Sequence, residues 1–179
     1  MKWTVPVALA ACAASVIFAA PAQAEKLTMD HRLQPRLEAV MAANRDGSVY
    51  YEDARPKYVL DRIVIQGDSA QDWREALEIW VLPRGRNFRD AADWYAGYRQ
   101  QESAACTGEW SAVAQDDRSA TFTRQYRDCP PGSGPMSGIY RMVLGKKTVY
   151  LLKALYRGEM DETSRQQWLA LMASAHINP

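Results

Sequence analysis

The chain opens with an apolar segment that is typical of an export signal. An almost wholly apolar stretch over residues 5–20 follows a basic start and ends at Ala22-Gln23-Ala24, the small-x-small pattern that signal peptidase recognises. We therefore expect a signal peptide over residues 1–24, a mature chain beginning at Glu25, and a periplasmic or secreted protein. A lipoprotein anchored at Cys12 stays open as an alternative, because Leu-Ala-Ala-Cys is similar to a lipobox.

Beyond this segment the apolar positions first follow a helical period. They predict an amphipathic helix over residues 33–44. The tyrosine-rich stretch up to residue 61 keeps no sustained period and predicts an extended connection. We expect residues 25–61 to belong to the same domain as the main body, residues 62–179. The helix prediction rests on Leu33, Leu37, Val40 and Met41.

The next segments predict a hairpin and a second helix. Two β-type runs, residues 62–67 and 75–82, flank a turn-rich stretch. After Pro83 and Gly85, Asn87 can cap a helix with one apolar face, which Cys106 continues. The apolar face comprises Phe88, Ala91, Ala92, Tyr95 and Tyr98.

Strand patterns dominate from residue 110 onward. The last two predicted strands form a hairpin around Gly145, and both of its faces are apolar, so both need cover. A final helix is predicted from the capping-box pattern at residues 163–166, with Trp168 on its buried face and His176 in its last turn. The four predicted strands span residues 110–115, 120–129, 139–144 and 148–156.

This order of elements predicts an α+β fold. We expect a single domain with a mainly antiparallel sheet of about six strands, packed with two or three helices and held by one disulfide. The disulfide is predicted because cleavage after residue 24 leaves only Cys106 and Cys129 in an oxidising compartment. Two thiols with no CxxC or HxxxH spacing do not favour a metal site.

Composition and charge narrow the classes of partner. The chain has 179 residues, of which 47% are hydrophobic and 24% charged, as in globular proteins. Removing residues 1–24 takes away Lys2 alone among the charged residues and leaves 21 basic and 21 acidic side chains. A neutral mature chain does not favour binding to nucleic acid. No later segment is apolar enough to predict a transmembrane span after cleavage.

A search for catalytic patterns finds none that is specific. His31 and His176 have no catalytic or metal-binding spacing, and Ser137 does not stand in a Gly-x-Ser-x-Gly elbow. We therefore predict no cofactor and no metal. Lys153 is the one unusual polar residue, because it lies within an apolar strand, where burial could lower its pKa. Its simpler interpretations are a snorkelling side chain or a charge that protects an edge strand.

Aromatic residues beside arginines are the remaining candidates for recognition. Trp94 and Tyr98 flank the buried face of the second helix, and Arg84 and Arg86 precede it. Aromatic and arginine side chains are enriched at binding surfaces, although they also serve ordinary packing. We predict these four residues as a binding site. Gly97 is expected to leave a flat spot on the opposite side of the same helix.

Three short motifs carry a resemblance to known proteins. They are Trp73-Arg74-Glu75, Cys106 before a strand region, and Tyr126-Arg127-Asp128-Cys129-Pro130, followed by the closing hairpin before Trp168. Over residues 62–177 the chain resembles an uncharacterised family of small exported proteobacterial proteins. Its order of elements is also similar in outline to the PsbP/Mog1-like α+β fold. That resemblance implies a binding or assembly accessory without catalysis, and it carries over no functional residue.

Together these features predict an exported binding or accessory protein of the bacterial envelope. Its partner is an unknown protein or small-molecule ligand. Two alternatives stay open: an envelope-acting enzyme that uses carboxylates or Lys153, and an inhibitor or immunity-type partner of a secreted protein.

Overall fold

A computed structural model describes residues 25–43, 50–55, 58–69, 71–85, 88–127, 129 and 137–178. The predicted signal peptide, Cys12, Arg86 and Asn87 lie outside these residues. The helices are a 3₁₀ turn at His31–Leu33, α1 at Pro35–Ala43, α2 at Ala91–Ala105 and α3 at Glu162–Ser174. The strands are β1 (Lys26–Thr28), β2 (Tyr50–Arg55), β3 (Tyr58–Gly67), β4 (Trp73–Pro83), β5 (Gly108–Gln115), β6 (Ser119–Tyr126), β7 (Ser137–Leu144), β8 (Thr148–Tyr156) and β9 (His176–Asn178).

An antiparallel sheet organises the fold. Its seven strands run in the order β2-β3-β4-β8-β7-β6-β5, so β4 and β8 lie at its centre. Strands β2 to β4 form one block of consecutive antiparallel strands, and strands β5 to β8 form another. The two blocks meet where β4 pairs with β8 along nine residues. The predicted α+β class, with a mainly antiparallel sheet, is confirmed. No helix of the described residues is both long and apolar enough to cross a membrane.

The predicted extended connection contains a strand that the pattern did not show. β2 pairs with β3 through six residues at the edge of the sheet. An edge strand is held by one neighbour only, so its sequence, Tyr-Tyr-Glu-Asp-Ala-Arg, needs no alternation of apolar and polar positions. The sheet consequently has one more strand than expected.

Each face of the sheet carries its own core, as the two apolar faces of the β7–β8 hairpin predicted. α2 covers one face, where Phe122, Tyr140, Met142 and Leu151 are buried beneath it. α3 and α1 cover the other, where the fully buried residues include Trp168, Leu37, Leu77 and Leu152.

Both later helices begin at aspartates and not at the predicted caps. Asp90 caps α2 by accepting a hydrogen bond from the backbone N–H of Asp93 at 2.9 Å. Asp161 caps α3 by accepting one from the N–H of Ser164 at 2.9 Å, so the predicted capping box at residues 163–166 is wrong. In each helix a carboxylate three residues ahead of the receiving N–H satisfies an amide that the helix leaves unpaired.

The two ends of the described chain meet in a two-stranded ribbon. β1 pairs with β9, and His176 therefore lies in a strand, where it pairs with Thr28. The prediction that His176 sits in the last helical turn is wrong, because α3 ends at Ser174. Glu25 joins this end to the main sheet: its carbonyl accepts the Tyr150 hydroxyl at 2.8 Å and its carboxylate accepts the Lys146 N–H at 2.7 Å.

The predicted disulfide joins Cys106 and Cys129, whose Cα atoms are 5.1 Å apart. It ties the C-terminal end of α2 to the chain that leaves β6. Arg124 reinforces the same junction by donating to the carbonyl oxygens of Cys106 at 2.6 Å and Glu102 at 3.1 Å. The position of α2 on the sheet is thus fixed at this end by a covalent bond and by a buried guanidinium.

Candidate functional site

A cavity of about 490 Å³ lies between α2 and the sheet. This volume falls within the range of about 300–1,000 Å³ that small-ligand pockets occupy. Most of the wall is aromatic or aliphatic, and the polar groups are few. The lining residues are Trp80, Leu82, Phe88, Trp94, Gly97, Tyr98, Gln101, Glu102, Leu151 and Lys153.

α2 contributes two of the residues that the sequence selected. Trp94 and Tyr98 are one helical turn apart, and their rings stack with centroids 4.9 Å apart and planes 11° from parallel. Tyr98 continues into an aromatic cluster beneath the helix, with Trp110 at 6.1 Å and Tyr140 at 6.3 Å between ring centroids. These contacts hold the helical wall of the cavity in a fixed orientation.

Of the two predicted arginines, the structure describes only Arg84. Arg84 does not line the cavity; its side chain donates to the carbonyl of Gly145 at 2.8 Å, and its backbone N–H donates to Lys147 at 2.8 Å. It therefore fastens the end of β4 to the β7–β8 turn. Arg86 lies outside the described residues.

Gly97 also differs from its predicted place, because it lines the cavity beside Trp94 and Tyr98. A Cβ atom at this position would stand 3.3 Å from Cε1 of Phe88. Because Gly97 has no side chain, space remains at this point of the cavity wall, next to the ring of Phe88.

Lys153 contributes the cation of the site. It lies on β8, opposite Glu78 of β4 and Tyr140 of β7 in the strand register. Its ammonium nitrogen stands 4.3 Å from the centroid of the Trp80 ring and 5.8 Å from that of Tyr98. Since β8 is a central strand, the interpretation of Lys153 as the guard of an edge strand is wrong. Burial lowers the pKa of Lys153, against the opposing fields of Glu78 and Glu102.

The two carboxylates whose fields act on Lys153 each pair with an arginine. Glu78 is 4% exposed and accepts Nε of Arg62 at 2.9 Å, and it also accepts the indole N–H of Trp80 at 2.8 Å. Glu102 accepts Nη1 of Arg124 at 2.7 Å. None of the described carboxylates lies within 4.0 Å of the Lys153 nitrogen. The ammonium is therefore held mainly by aromatic faces, through cation–π attraction.

Three tyrosine hydroxyls on this side of the sheet have different surroundings. The hydroxyls of Tyr126 and Tyr140 hydrogen-bond to each other. The Tyr98 hydroxyl is buried and has no hydrogen-bond partner within the described part of the chain. Burial raises the pKa of Tyr98 and of Tyr140, so both hydroxyls keep their protons at neutral pH.

Another cavity, of about 350 Å³, lies at the β5–β7 end of the sheet. Its side chains are mainly polar, and it has no aromatic residue in its lining. Glu109, Thr123, Gln125 and Glu159 are typical of its wall. This surface lacks the apolar walls that bind most small organic ligands, and we do not take it as the candidate site.

Metal and histidine chemistry receive no support from the described geometry. Within residues 25–178, as far as they are described, no group of three or more His, Cys, Asp or Glu side chains is placed to hold a metal ion. His176 is exposed, and its Nδ1 lies 2.8 Å from the carbonyl of Ser174. His31 lies in the 3₁₀ turn, which contacts α1 and α3 on the face of the sheet opposite α2.

Comparison with protein-family models, with curated proteins and with solved structures gives no match for this chain. The resemblance to an exported proteobacterial family and to the PsbP/Mog1-like fold therefore stays a prediction. The cavity itself is therefore the feature from which a function can be inferred.

Proposed function

We propose that this protein is an exported binding protein of the bacterial envelope and that it holds a small organic ligand between α2 and the sheet. The cavity of about 490 Å³ is the observation that carries the proposal. Its walls combine aromatic and aliphatic side chains with a few polar residues, Gln101, Glu102 and Lys153. Small-molecule sites generally have this composition, in which apolar walls give affinity and a few polar groups give orientation.

The rigidity of the walls supports binding in a preformed site. Trp94 and Tyr98 are stacked, the Glu78 carboxylate holds the Trp80 indole, and the disulfide fixes the end of α2. A preformed site loses little conformational entropy when its ligand enters, which favours affinity. Export is expected from residues 1–24, and the disulfide is compatible with an oxidising compartment.

A neutral aromatic probe tests this proposal. Protein purified from expression of the full chain is titrated with N-phenylnaphthylamine, whose fluorescence rises in an apolar site. We expect saturable binding of one probe per chain. Gly97→Leu places a branched side chain in the cavity and should weaken binding by about tenfold or more, since a clash with bound ligand exceeds the 1.4 kcal/mol that a tenfold change represents.

Ala96→Leu is the matched control, because Ala96 is the exposed neighbour of Gly97 on α2. This variant should bind the probe as the natural protein does. The proposal fails if no saturable binding occurs, or if Gly97→Leu and Ala96→Leu bind equally well, because the probe would then sit elsewhere.

A second candidate function is an enzyme in which Lys153 acts as a neutral amine. The lowering of the Lys153 pKa by burial inside a cavity favours it. Titration of the Lys153 nitrogen by NMR separates the two functions. A Lys153 that is neutral at pH 7 supports a base or nucleophile, whereas one that is still protonated at pH 7 supports binding.

A further inference from the structure

Within the part of the chain that the structure describes, the charged side chains around Lys153 do not balance. Four charged side chains act on Lys153, and they come from four different elements: Arg62 of β3, Glu78 of β4, Glu102 of α2 and Arg124 of β6. Arg62 pairs with Glu78 and Arg124 pairs with Glu102. These two pairs are neutral, so Lys153 leaves the described cluster with one positive charge in excess.

A buried or partly buried cation without a carboxylate partner is unfavourable, because it loses hydration that no ion pair replaces. The aromatic ring of Trp80 offsets part of that loss. A ligand group that carries a negative charge would supply the partner that this ammonium lacks among the described residues.

The rest of the cavity indicates the body of the ligand. Trp80, Phe88 and Trp94 present three aromatic side chains, and Leu82 and Leu151 complete an apolar surface. Aromatic side chains contact flat or apolar molecules favourably by stacked or edge-to-face packing. The anionic contact and the apolar walls belong to one cavity, so one molecule can meet both.

We propose that the ligand is an organic anion with a flat, apolar body, and that its single negative group, a carboxylate or a sulfonate, contacts the Lys153 ammonium. This inference rests on the proposed function, because it assigns the ligand class of the same cavity. It also gives the Lys153 cation, which has no carboxylate partner among the described residues, a role in recognition.

Two probes with the same aromatic body test the charge directly. Anilinonaphthalene sulfonate carries one negative group, and N-phenylnaphthylamine is its neutral counterpart. Lys153→Met keeps a long apolar side chain and removes the cation. We expect it to weaken the sulfonate by about tenfold or more, as losing a charge-assisted hydrogen bond does, and to change the neutral probe by less than about threefold.

A further variant protects the test. Lys153→Arg keeps the positive charge and should retain most of the affinity for the sulfonate. Binding of the neutral probe by Lys153→Met shows that this variant is folded.

The pH profile provides an independent reading. Raising the pH through the lowered pKa of Lys153 neutralises the ammonium, so affinity for the sulfonate should fall while affinity for the neutral probe stays level. Lys153→Met should show no such fall. Other charged or titratable groups also face Lys153 and contribute to the pH profile. They are Arg62, Glu78, Tyr98, Glu102, Arg124 and Tyr140.

The outcomes separate this inference from the proposed function. If the neutral probe binds in the cavity but Lys153→Met leaves the sulfonate unaffected, the anionic ligand is refuted and the binding function stands. If neither probe binds the natural protein, the binding function itself is refuted. Selective loss of the sulfonate in Lys153→Met supports both.

Discussion

Replacing Glu75 with alanine should detach the helices that cover the sheet on the side opposite the cavity. Glu75 is fully buried on β4, and its two carboxylate oxygens accept from three side chains. The indole N–H of Trp168 donates at 2.8 Å, the Tyr156 hydroxyl at 3.1 Å, and Arg36 approaches to 2.8 Å. Since Arg36 is in α1 and Trp168 is in α3, one carboxylate joins both helices to the sheet.

The magnitude follows from the donors that would remain. Trp168 is 0% exposed and Tyr156 is 5% exposed, so each would keep a buried donor without an acceptor, at about 1–3 kcal/mol apiece. The Arg36 side chain is 42% exposed and can turn to water, which limits its share. We expect Glu75→Ala to lower the free energy of unfolding by about 3–5 kcal/mol, the range for breaking a buried ion pair.

Glu75→Gln keeps an acceptor oxygen and should cost less, about 1–2 kcal/mol near neutral pH. Burial raises the pKa of Glu75 above its ordinary value of 4.5. The folded state therefore holds a proton that the unfolded state has lost, and the natural protein gains stability over Glu75→Gln as the pH falls through the raised pKa toward 4.5.

Urea unfolding followed by circular dichroism measures these differences. Glu109→Ala is the matched control, because Glu109 is 65% exposed and pairs with Arg127 only at the surface. It should change stability by less than about 0.5 kcal/mol. A loss below about 1 kcal/mol in Glu75→Ala would refute the view that this carboxylate joins the helices to the sheet.

Three more predictions concern the cavity side and the disulfide. Lys153→Met should raise the free energy of unfolding by about 1 kcal/mol or more at neutral pH. In urea titrations the difference in stability between this variant and the natural protein should disappear as the pH rises toward 10.5, because the natural lysine then also becomes neutral in the unfolded state. Tyr98→Phe should stabilise the ligand-free protein by about 1 kcal/mol in thermal unfolding, because it removes a buried hydroxyl without a partner; Tyr140→Phe, which breaks a hydrogen bond, should destabilise it. Replacing Cys106 and Cys129 together by serine should lower the free energy of unfolding by about 2 to 3.4 kcal/mol, where the upper figure is the loop-entropy value for the closed loop of about 24 residues. A change below about 1 kcal/mol in urea unfolding would contradict this prediction.

Local patterns were enough to predict most of the fold. The β7–β8 hairpin was predictable because both of its strands carry apolar residues on both faces, on either side of a turn that contains Gly145. In the structure Met142 pairs with Leu151 on the face toward α2. α2 was predictable because Ala91, Tyr95 and Tyr98 fall on one face of a helical period. β2 was not, since an edge strand needs no periodic burial.

The cavity illustrates why a site is harder to predict than an element. The sequence selected Trp94 and Tyr98, and it singled out Lys153, because these residues stand out within their own segments. It did not connect them with Glu78 or Arg124, because those contacts depend on which strands become neighbours. β4 meets β8 only through the long connection that includes α2 and three other strands, and no local pattern encodes that pairing.

The strand pattern alone does not show that Glu78 is buried. Glu78 lies on the face of β4 that also carries Trp80, which lines the cavity. Its carboxylate is buried because Arg62 and Trp80 supply donors from the same face. Knowledge of the three-dimensional neighbours was therefore required to distinguish a buried charge from an exposed one.

The most direct test of the binding site is to locate the neutral probe by NMR of the tryptophan indole N–H groups. Trp80 and Trp94 line the cavity, whereas Trp168 is buried on the opposite face and donates to Glu75. Single Trp→Phe variants assign the signals. We predict that N-phenylnaphthylamine shifts the signals of Trp80 and Trp94 and leaves that of Trp168 in place. Shifts at Trp168 without any at Trp80 or Trp94 would contradict a ligand site between α2 and the sheet.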